Sequence, residues 1–402
     1  MALLSVEEAT RRIVSGAQVL SAKPVTLMEA DRRVLAEHLQ AGRTQPPFDA
    51  SAMDGYAVRA VDIQTIPATL NVIGESAAGR RFDGSVGAGQ AVRIFTGAPV
   101  PGGADAIVSQ EDTTRNGEDV VVERNDVEAG HIRKMGSDFR EGQPLLPAGT
   151  LLSPRDVTLA AAMGHARLRV IKKPRVAVVA TGDELVLPGE STGPDQIVCS
   201  NPFGIAGIIH RAGGEARFLG IAKDDRADLA RLCEKARGFD LLLTVGGASV
   251  GDHDLVAPVL EEMGMTLDFW RIAMRPGKPL MFGRLDSTFV IGLPGNPVSS
   301  LICARIFAVP LISAMLGRPP HVDALETAVT TAPMPVNGPR QHYMRAVSSA
   351  REDDGRLAVT PVPSQDSSLL SPLSRADVLI VRPPGDPAIS EGATVQIMHL
   401  DF

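Results

Sequence analysis

The chain is poor in aromatic residues, which make up 4% of its 402 residues and include one Trp and two Tyr. Proteins that hold single-stranded nucleic acid stack its bases on aromatic rings beside a basic groove. Here the formal net charge at pH 7 is −7, which also disfavours a nucleic acid or an anionic membrane surface as a partner. The composition therefore argues against both classes and leaves small anions, which a local basic cluster could still bind.

Cysteine is also scarce. The three cysteines, Cys199, Cys233 and Cys303, lie far apart and form no C-x-x-C pair. This spacing is typical of unpaired thiols in a reducing compartment and provides no cysteine metal site. A catalytic thiol stays open as an alternative, although no neighbouring residue supports one.

Long uninterrupted apolar runs are missing as well. The N-terminal stretch mixes acidic and basic residues and has no apolar region, so we expect no signal peptide. The most apolar late segment, residues 298–316, contains Arg305 and Pro310, which we expect to make it too short and too broken to span a membrane. The sequence therefore predicts a soluble, cytoplasmic protein.

What is present fits a globular protein of several domains. Hydrophobic residues make up 44% and charged residues 22%, and a chain of this length exceeds one typical core, so roughly two to four domains are expected. Ser5 to Glu8 has the spacing of a capping box and predicts a first helix. Thr26 to Glu29 repeats the signal and predicts a second helix over residues 27–41.

Residues 45–139 form short β-runs separated by Gly-rich turns, which predicts a β-rich lobe. Asp49 and Asp54 stand in an ordered loop that leads into it. Either is functional or a turn residue, the commoner role of Asp before Gly. Thr96 stands in a turn with its hydroxyl available, and Asp138 follows Lys134 in a segment that reads as a solvated turn with one ion pair.

From residue 173 the pattern alternates in the order β-α-β-α-β, which predicts a parallel sheet with helices on both faces. Ligands of such sheets bind outside the carboxyl ends of the strands. All three strands end in polar, acid-bearing turns. These turns contain Asp183 and Glu184, then Asp224 and Asp225, then Ser249, Asp252 and Asp254. Three such turns at one sheet edge converge on a single site.

The third of these turns begins with Gly246 and Gly247. Paired glycines let the backbone approach a bound group, and exposed N–H groups there can hold a phosphate. Ser249 adds a hydroxyl, while Asp252 and Asp254 supply the oxygen ligands that Mg²⁺ prefers. Taken alone, the stretch favours a strand followed by a solvated turn, and the two neighbouring acidic turns shift the balance toward function.

A local basic cluster follows in this acidic protein. Arg271, Arg275 and Lys278 surround a Pro-Gly turn, and surface solubility is their simplest alternative role. The next strand ends in a rigid P-G-N-P turn, residues 294–297, before a helix whose first N–H groups would suit an oxyanion. Beyond residue 318, short β-runs predict a separate domain of barrel or sandwich type, with a Ser-rich loop over residues 365–371.

Six motifs occur in order along the chain: SAMDGYAV, TGAPVP, TGDEL, GGASVGDHD, RPGKP and LPGNPVS. Together they closely resemble the molybdopterin molybdenumtransferase (molybdenum insertase) family, of the MoeA and gephyrin E-domain type. Each motif is short, but six in the family's order cover essentially the whole chain. The resemblance implies an enzyme of molybdenum cofactor biosynthesis.

The family implies a fold class of α/β plus β, in an elongated subunit of four parts that forms a homodimer. A dimerisation domain over residues 1–44 and 140–172 is interrupted by the β-rich lobe of residues 45–139. An α/β molybdopterin-binding domain over residues 173–318 follows. A C-terminal β-barrel-like domain over residues 319–402 completes the implied subunit.

The implied reaction inserts molybdate into adenylylated molybdopterin with Mg²⁺ and yields molybdenum cofactor and AMP. The implied catalytic residues are Asp54, Asp138, Glu184, Asp224, Asp252 and Asp254, of which the last four are also the metal candidates. The implied substrate-binding residues are Thr96, Thr181, Gly246, Gly247, Ser249, Arg271, Arg275, Lys278, Pro294, Asn296 and Pro297. The pterin supplies the dithiolene sulfurs, so no cysteine ligand is needed. A molybdopterin adenylyltransferase and apo-molybdoenzymes are the implied transient partners.

Two departures from the family pattern matter. Arg271 and Arg275 stand where related sequences often carry Lys, which keeps the positive charge but offers a planar, bidentate fork. Asp366 stands where Gly is common, which leaves the roles of Ser367 and Ser371 open.

Two alternatives remain at this point. A pterin-binding scaffold would keep the fold without catalysis, but it would be expected to lose acidic positions or to gain long linkers. Pterin adenylylation by the α/β domain alone is the second, and the additional domains count against it.

Overall fold

A computed structural model describes residues 3–124, 131–247, 255–320, 325–350 and 356–402. The chain forms two compact units. One contains Met1–Lys23 and Ile171–Phe402, and the other contains Pro24–Val170. The N-terminal segment therefore groups with the α/β region, whereas the family resemblance assigned residues 1–44 to a separate dimerisation domain.

The first helix, α1 (Val6–Ser15), confirms the prediction made from its capping signal. The Glu8 N–H donates to Ser5 Oγ at 3.2 Å, so the serine satisfies a backbone group that the helix leaves unpaired. Val6, Ala9 and Ile13 are buried, as their helical spacing requires. The helix ends at Ser15, and Gly16 is its C-cap.

The predicted second helix is wrong. The capping interaction forms, because the Thr26 N–H donates to the Glu29 carboxylate at 3.0 Å, but only a single 3₁₀ turn, Leu27–Glu29, follows it. Val34 and Leu35 instead make backbone bridges to Leu151 and Val170. Both side chains are 1% exposed, so tertiary pairing and burial override local helix propensity here.

The unit of residues 24–170 is built mainly from short strands. Its elements, with the strands that cross its boundary, are β1 (Ala22–Thr26), β2 (Leu39–Gln40), β3 (Ala50–Ser51), β4 (Gly55–Val58), β5 (Ala68–Ser76), β6 (Gln90–Ile94), β7 (Ala106–Ser109), β8 (Thr113–Asn116), β9 (Asp119–Val122), β10 (Ile132–Arg133), β11 (Pro144–Leu146), α2 (Pro154–Ala162) and β12 (Arg167–Ile171). Six strands form one sheet in the order β7-β4-β6-β5-β9-β8, which confirms the β-rich lobe. Three two-stranded pairs, β1 with β12, β2 with β11 and β3 with β10, complete the unit.

Three hydrophobic clusters of described residues stabilise this unit. Two are built on the six-stranded sheet, one containing Tyr56 and Val122 and the other containing Ala57 and Ile94. The third joins two segments that are distant in sequence, residues 25–41 and 139–170. This third cluster therefore brings together residues on either side of the β-rich lobe.

The α/β region contains a six-stranded sheet. Its elements are β13 (Arg175–Thr181), β14 (Leu185–Val186), β15 (Ile197–Val198), α3 (Asn201–Arg211), β16 (Glu215–Ala222), α4 (Arg226–Glu234), β17 (Leu241–Val245), α5 (Val256–Glu262), β18 (Thr266–Trp270), β19 (Met274–Arg275), β20 (Met281–Leu285), β21 (Thr288–Leu293), α6 (Pro297–Cys303) and α7 (Val309–Met315). The strand order is β16-β13-β17-β21-β20-β18. The first four strands are parallel, as predicted, and β20 and β18 add an antiparallel edge.

The most apolar segment is one continuous helical run of 19 residues, Pro297–Met315, in which a π-helical turn, Ala304–Ala308, joins α6 to α7. The expectation that Arg305 and Pro310 break it is wrong. Pro310 lies in the first turn of α7, directly after the π-helical turn, and the helical run continues through it. The run is long and apolar enough to cross a membrane, but 94% of its most apolar window is buried inside the fold, as expected of a core helix.

The C-terminal region confirms the predicted barrel. Its elements are β22 (Glu326–Thr330), β23 (Gln341–Ala350), β24 (Leu357–Pro361), α8 (Leu370–Arg375), β25 (Val378–Arg382) and β26 (Thr394–His399). The order β23-β24-β22-β26-β25 closes on itself through pairing of β23 with β25. The short strand β19 of the α/β region also pairs with β23. Helix α8, at the end of the Ser-rich segment, was not predicted.

Candidate active site

The carboxyl ends of the four parallel strands lie level at one edge of the sheet. Thr181 at the end of β13 pairs with Ala222 at the end of β16. Val245 at the end of β17 lies between Ala180 and Leu293 in register. The three turns that the sequence singled out and the P-G-N-P turn therefore leave the sheet side by side, where ligands of parallel sheets bind.

The first turn folds the Glu184 carboxylate back over the end of β13. The Gly182 N–H donates to the Ala222 carbonyl at 3.1 Å. A Cβ on Gly182 would overlap the Glu184 carboxylate oxygens, so glycine at this position makes room for that carboxylate. Burial first, and the negative charge of Glu184 second, raise the pKa of the Cys199 thiol to about 11. This thiol is therefore held in its unreactive, protonated form.

The second turn is tied to the first through Asp224. Thr181 Oγ1 donates to Asp224 Oδ1 at 3.2 Å, and the Asp224 N–H donates to Asp183 Oδ1 at 3.1 Å. The structure thus brings Thr181, Asp183 and Asp224 together. Asp183 fixes the backbone of Asp224, and Asp224 itself is exposed at the sheet edge.

The third turn begins with two glycines whose backbone conformations only glycine can adopt without strain. Gly246 has φ +93° and Gly247 has φ +59°, in the left-handed region that glycine adopts readily. A Cβ on Gly246 would lie 2.7 Å from the Thr181 carbonyl oxygen. The Gly246 N–H donates to the Leu293 carbonyl at 3.1 Å, so it is engaged within the protein rather than available to a phosphate, contrary to the cradle expected from the sequence.

Three predicted residues of this turn, Ser249, Asp252 and Asp254, lie outside the described residues. Within the described ranges, no group of three His, Cys, Asp or Glu side chains comes close enough to hold a metal ion. Of the four metal candidates, the described part of the edge therefore offers Glu184 and Asp224 alone.

The basic turn is a closed loop that presents three exposed cations. The Arg271 N–H donates to the Leu280 carbonyl at 2.8 Å, and the Ile272 N–H donates to the Lys278 carbonyl at 3.1 Å. Arg271, Arg275 and Lys278 are all exposed. A Cβ on Gly277 would overlap Cys303 Sγ, so the turn lies directly against α6.

The C-terminal barrel holds this basic turn through main-chain pairing. Arg275 in β19 lies opposite His342 in β23, and the Gln341 N–H donates to the Ala273 carbonyl at 2.9 Å. Burial, with the positive charge of Arg275 and three further arginines, lowers the pKa of His342 to about 4. The imidazole therefore stays neutral and adds no charge to the cluster at pH 7.

The P-G-N-P turn contacts the Ser-rich loop of the barrel. Asn296 Nδ2 donates to Ser367 Oγ at 2.8 Å, and the Val298 N–H donates to the Ser367 carbonyl at 3.0 Å. The prediction that the first N–H groups of this helix are free for an oxyanion is thus wrong for Val298. Pro294 is buried, and Asn296 and Pro297 remain partly or fully exposed beside the loop.

Arg345 shapes the Ser-rich loop and was missed at the sequence level. Its side chain is 1% exposed and donates to the carbonyls of Leu369, Ser364 and Asp366 at 2.9–3.0 Å. The Ser368 N–H donates to the Asp366 carboxylate at 2.9 Å and lowers the pKa of that carboxyl. The sole signal in the sequence is an arginine in the middle of the strand pattern HYMRAV.

The remaining candidates lie in the unit of residues 24–170. Thr96 donates to Asp54 Oδ1 with both its N–H and its hydroxyl, each at 2.8 Å. These hydrogen bonds, the N–H first, lower the pKa of Asp54, and the charge of Arg93 adds to the effect. The Asp138 N–H donates to the Gln45 carbonyl at 3.1 Å. Asp54 and Thr96, predicted from separate motifs, are therefore hydrogen-bonded to each other, and this contact favours the ionised form of Asp54.

The ion pair expected near Asp138 involves a different acid. Lys134 Nζ lies 2.9 Å from Asp49 Oδ2, and the Met135 N–H donates to the other oxygen of Asp49 at 2.8 Å. The N–H first and the Lys134 contact second lower the pKa of Asp49. Asp49 is thus a structural residue that ties the two ends of the β-rich lobe together.

Sequence comparisons match three consecutive regions of the chain to known families. Residues 4–164 match the MoeA N-terminal region (domain I and II), and residues 177–314 match a probable molybdopterin binding domain. Residues 327–400 match the MoeA C-terminal region (domain IV). The three regions occur in one order along almost the whole chain.

Individual relatives agree with these matches. The chain is 36% identical to the molybdopterin molybdenumtransferase of Haemophilus influenzae over 93% of this chain and 92% of that one. It is 33% identical to the Bacillus subtilis molybdopterin molybdenumtransferase over 98% and 94%. Among solved structures, the molybdopterin biosynthesis MoeA protein of Pyrococcus horikoshii superimposes with a TM-score of 0.84 at 30% identity, with full coverage of both chains.

Proposed function

The chain belongs to the molybdopterin molybdenumtransferase family, and from that premise we propose that it inserts molybdate into adenylylated molybdopterin and releases AMP. It is a transferase of molybdenum cofactor biosynthesis, with molybdopterin as the substrate class. The observation that supports the reaction most directly is the level edge of the α/β sheet. There Thr181, Glu184 and Asp224 stand beside the Gly246 turn.

The pterin nucleotide would bind along this edge. Glycines at positions 246 and 247 let the turn pack closely against Thr181 and Val256 at this edge. The Gly246 N–H is engaged with Leu293, so phosphate contacts fall to Gly247, to the predicted Ser249 and to the exposed cations of the basic turn.

The basic turn would hold the oxyanions. Arg271, Arg275 and Lys278 are exposed, and two of the three present guanidinium forks that match tetrahedral oxyanions in a bidentate manner. Molybdate and the phosphate of the pterin are both tetrahedral oxyanions of this kind. The barrel pairing at His342 fixes the position of Arg275 and so limits where such an anion can lie.

Mg²⁺ fits this donor set only in part. Mg²⁺ is usually held by one or two carboxylates together with substrate phosphates and waters, and Glu184 and Asp224 satisfy that minimum. A larger protein ligand set depends on the predicted Asp252 and Asp254. When bound, the ion would neutralise negative charge on the phosphoanhydride that is cleaved.

Asp54, Thr96 and Asp138 are proposed to complete the catalytic set. Asp54 is held ionised by Thr96, which suits a group that binds a cation. The family resemblance that assigns these residues also supports a homodimer. A cytoplasmic location is proposed, with a molybdopterin adenylyltransferase and apo-molybdoenzymes as transient partners.

Reconstitution tests the proposal. The purified chain is incubated with adenylylated molybdopterin, molybdate and Mg²⁺, and AMP release is followed together with reactivation of an apo-molybdoenzyme. We expect both products, and omission of molybdate should abolish reactivation. Saturable pterin binding without AMP or reactivation would instead support the scaffold alternative. Release of pyrophosphate from ATP that depends on unmodified molybdopterin would support adenylylation.

A further inference from the structure

The Asp54 turn is braced by a residue that no motif of the sequence singled out. Arg93, in β6, lies directly opposite Tyr56 of β4 in the antiparallel register. Its guanidinium carbon lies 5.1 Å from the centre of the Tyr56 ring and 4.8 Å from that of the Phe95 ring. Two aromatic contacts restrict the plane of the guanidinium as well as its position.

The hydrogen bonds of Arg93 converge on the backbone of this turn. Nη1 donates to the Gly55 carbonyl at 3.1 Å, and Nη2 donates to Gln110 Oε1. Gln110 in turn donates its N–H to the Asp54 carbonyl at 3.0 Å. Arg93 therefore links Gly55, which follows Asp54, to Gln110, which is hydrogen-bonded to the Asp54 main chain.

The backbone of this turn is closely packed against its neighbours. A Cβ on Gly55 would overlap the Val108 carbonyl, so the backbone beside Asp54 lies in direct contact with β7. Thr96 fixes one carboxylate oxygen, Oδ1, with two hydrogen bonds. Among the described residues the other carboxylate oxygen, Oδ2, has no hydrogen-bond partner. The direction in which Oδ2 points is therefore set by the position of the turn and by the contacts of Oδ1.

We propose that Arg93 is a positioning residue that holds the Asp54 carboxylate in one orientation. Arg93 directs its donors to Gly55 and Gln110, so it acts through the turn rather than on a substrate. The link to catalysis rests on the proposed function of Asp54. Lysine could replace the charge of Arg93 but neither the fork nor the stacking between two rings.

Two variants separate charge from geometry. Arg93→Gln removes both, and Arg93→Lys keeps the charge. The Asp54 pKa is measured by carbon-detected NMR titration of the carboxyl groups, with the resonance assigned by its loss in Asp54→Asn. Exchange of the Gln110 amide with deuterium is measured in parallel, and AMP release gives kcat and KM.

We expect Arg93→Gln to raise the pKa of Asp54 toward its ordinary value and to speed exchange at Gln110. Its kcat should fall by roughly ten-fold to a hundred-fold, as a small misplacement of a reacting group can produce, with little change in KM. Arg93→Lys restores only the charge, which is a smaller cause of the lowered Asp54 pKa than the two Thr96 hydrogen bonds, so its Asp54 pKa and its kcat should both stay close to those of Arg93→Gln. Arg80→Gln is the matched control, since Arg80 pairs with Glu75 in the same lobe with its side chain 75% exposed, and it should behave as the unmodified protein.

Unaltered Gln110 exchange and an unaltered Asp54 pKa in Arg93→Gln would overturn the proposal, as would full recovery of kcat by Arg93→Lys. If Arg93→Gln fails to fold, the same measurements on Arg93→Lys decide it. If Asp54→Asn retains full activity, the catalytic role of Asp54 is wrong. The exchange and pKa readouts would then still decide whether Arg93 positions that carboxylate.

Discussion

The Gly246→Ala substitution should destabilise the α/β region by about 2–5 kcal/mol. The φ of +93° costs a residue with a Cβ about 1–2 kcal/mol. The added methyl would also lie 2.7 Å from the Thr181 carbonyl oxygen, and such overpacking against backbone costs about 1–3 kcal/mol more. The second contribution exists because the turns after β13 and β17 lie in direct contact.

The assay uses the single tryptophan of the chain. Trp270 lies in β18 of the same sheet, so its fluorescence during urea unfolding reports on the α/β region. Gly238→Ala is the matched control, because Gly238 has φ +80° and no atom within 4 Å of the added Cβ. The control should lose only the conformational contribution, about 1–2 kcal/mol.

Equal destabilisation by the two substitutions would refute this reasoning. It would mean that the methyl of Gly246→Ala finds space, and hence that the Gly246 turn does not rest on Thr181. A result in which Gly246→Ala unfolds at clearly lower urea than Gly238→Ala would support the close approach of the two strand ends.

Three further predictions concern other parts of the molecule. Thr244 Oγ1 is buried without a hydrogen-bond partner among the described residues. Thr244→Val should therefore leave the free energy of unfolding unchanged or raise it by up to about 1–3 kcal/mol, as measured by the same Trp fluorescence. A loss of stability would show that the hydroxyl is hydrogen-bonded. Lys278→Ala should weaken molybdate binding, measured by calorimetry, by about 1–3 kcal/mol. The control is Lys235→Ala, because Lys235 is an exposed lysine at the end of α4, and this variant should bind molybdate normally. Equal affinities of the two variants for molybdate would show that Lys278 is not part of the anion site. Because the pKa of His342 is lowered from 6.5 to about 4, the unfolded chain binds more protons between these values, so stability should fall as the pH falls from 6.5 to 4. His342→Gln should lessen that slope in urea midpoints followed by circular dichroism, and an unchanged slope would contradict the burial of a neutral imidazole.

Regular elements were predictable where local periodicity and burial agree. The capping serine and the spacing of Val6, Ala9 and Ile13 identified α1 because one face of the helix is buried. The parallel strands were predictable because strands covered on both faces are apolar throughout. The helix predicted after Thr26 is absent although its capping box forms. The structure of this segment is determined by pairing with residues more than a hundred positions later in the chain.

The site was predictable in its acids and cations but not in its internal contacts. Strand ends that share an edge converge whatever their loops contain, so Asp183, Glu184 and Asp224 could be grouped from the order of elements alone. The partner of the Val298 N–H, Ser367, comes from another part of the fold, and no local pattern specifies it. Arg93 and Arg345 were missed for the same reason, since each is recognised by the carbonyls and rings it reaches in three dimensions.

The contacts of the barrel with the α/β region restrict how such proteins can be recombined. Strand β23 pairs with β19 beside the basic turn, and Ser367 meets Asn296 and the start of α6. A chimera that exchanges the C-terminal domain alone would therefore join a foreign loop to native turns at two places. Exchange of residues 271–278 and 294–298 together with the barrel would keep both junctions matched.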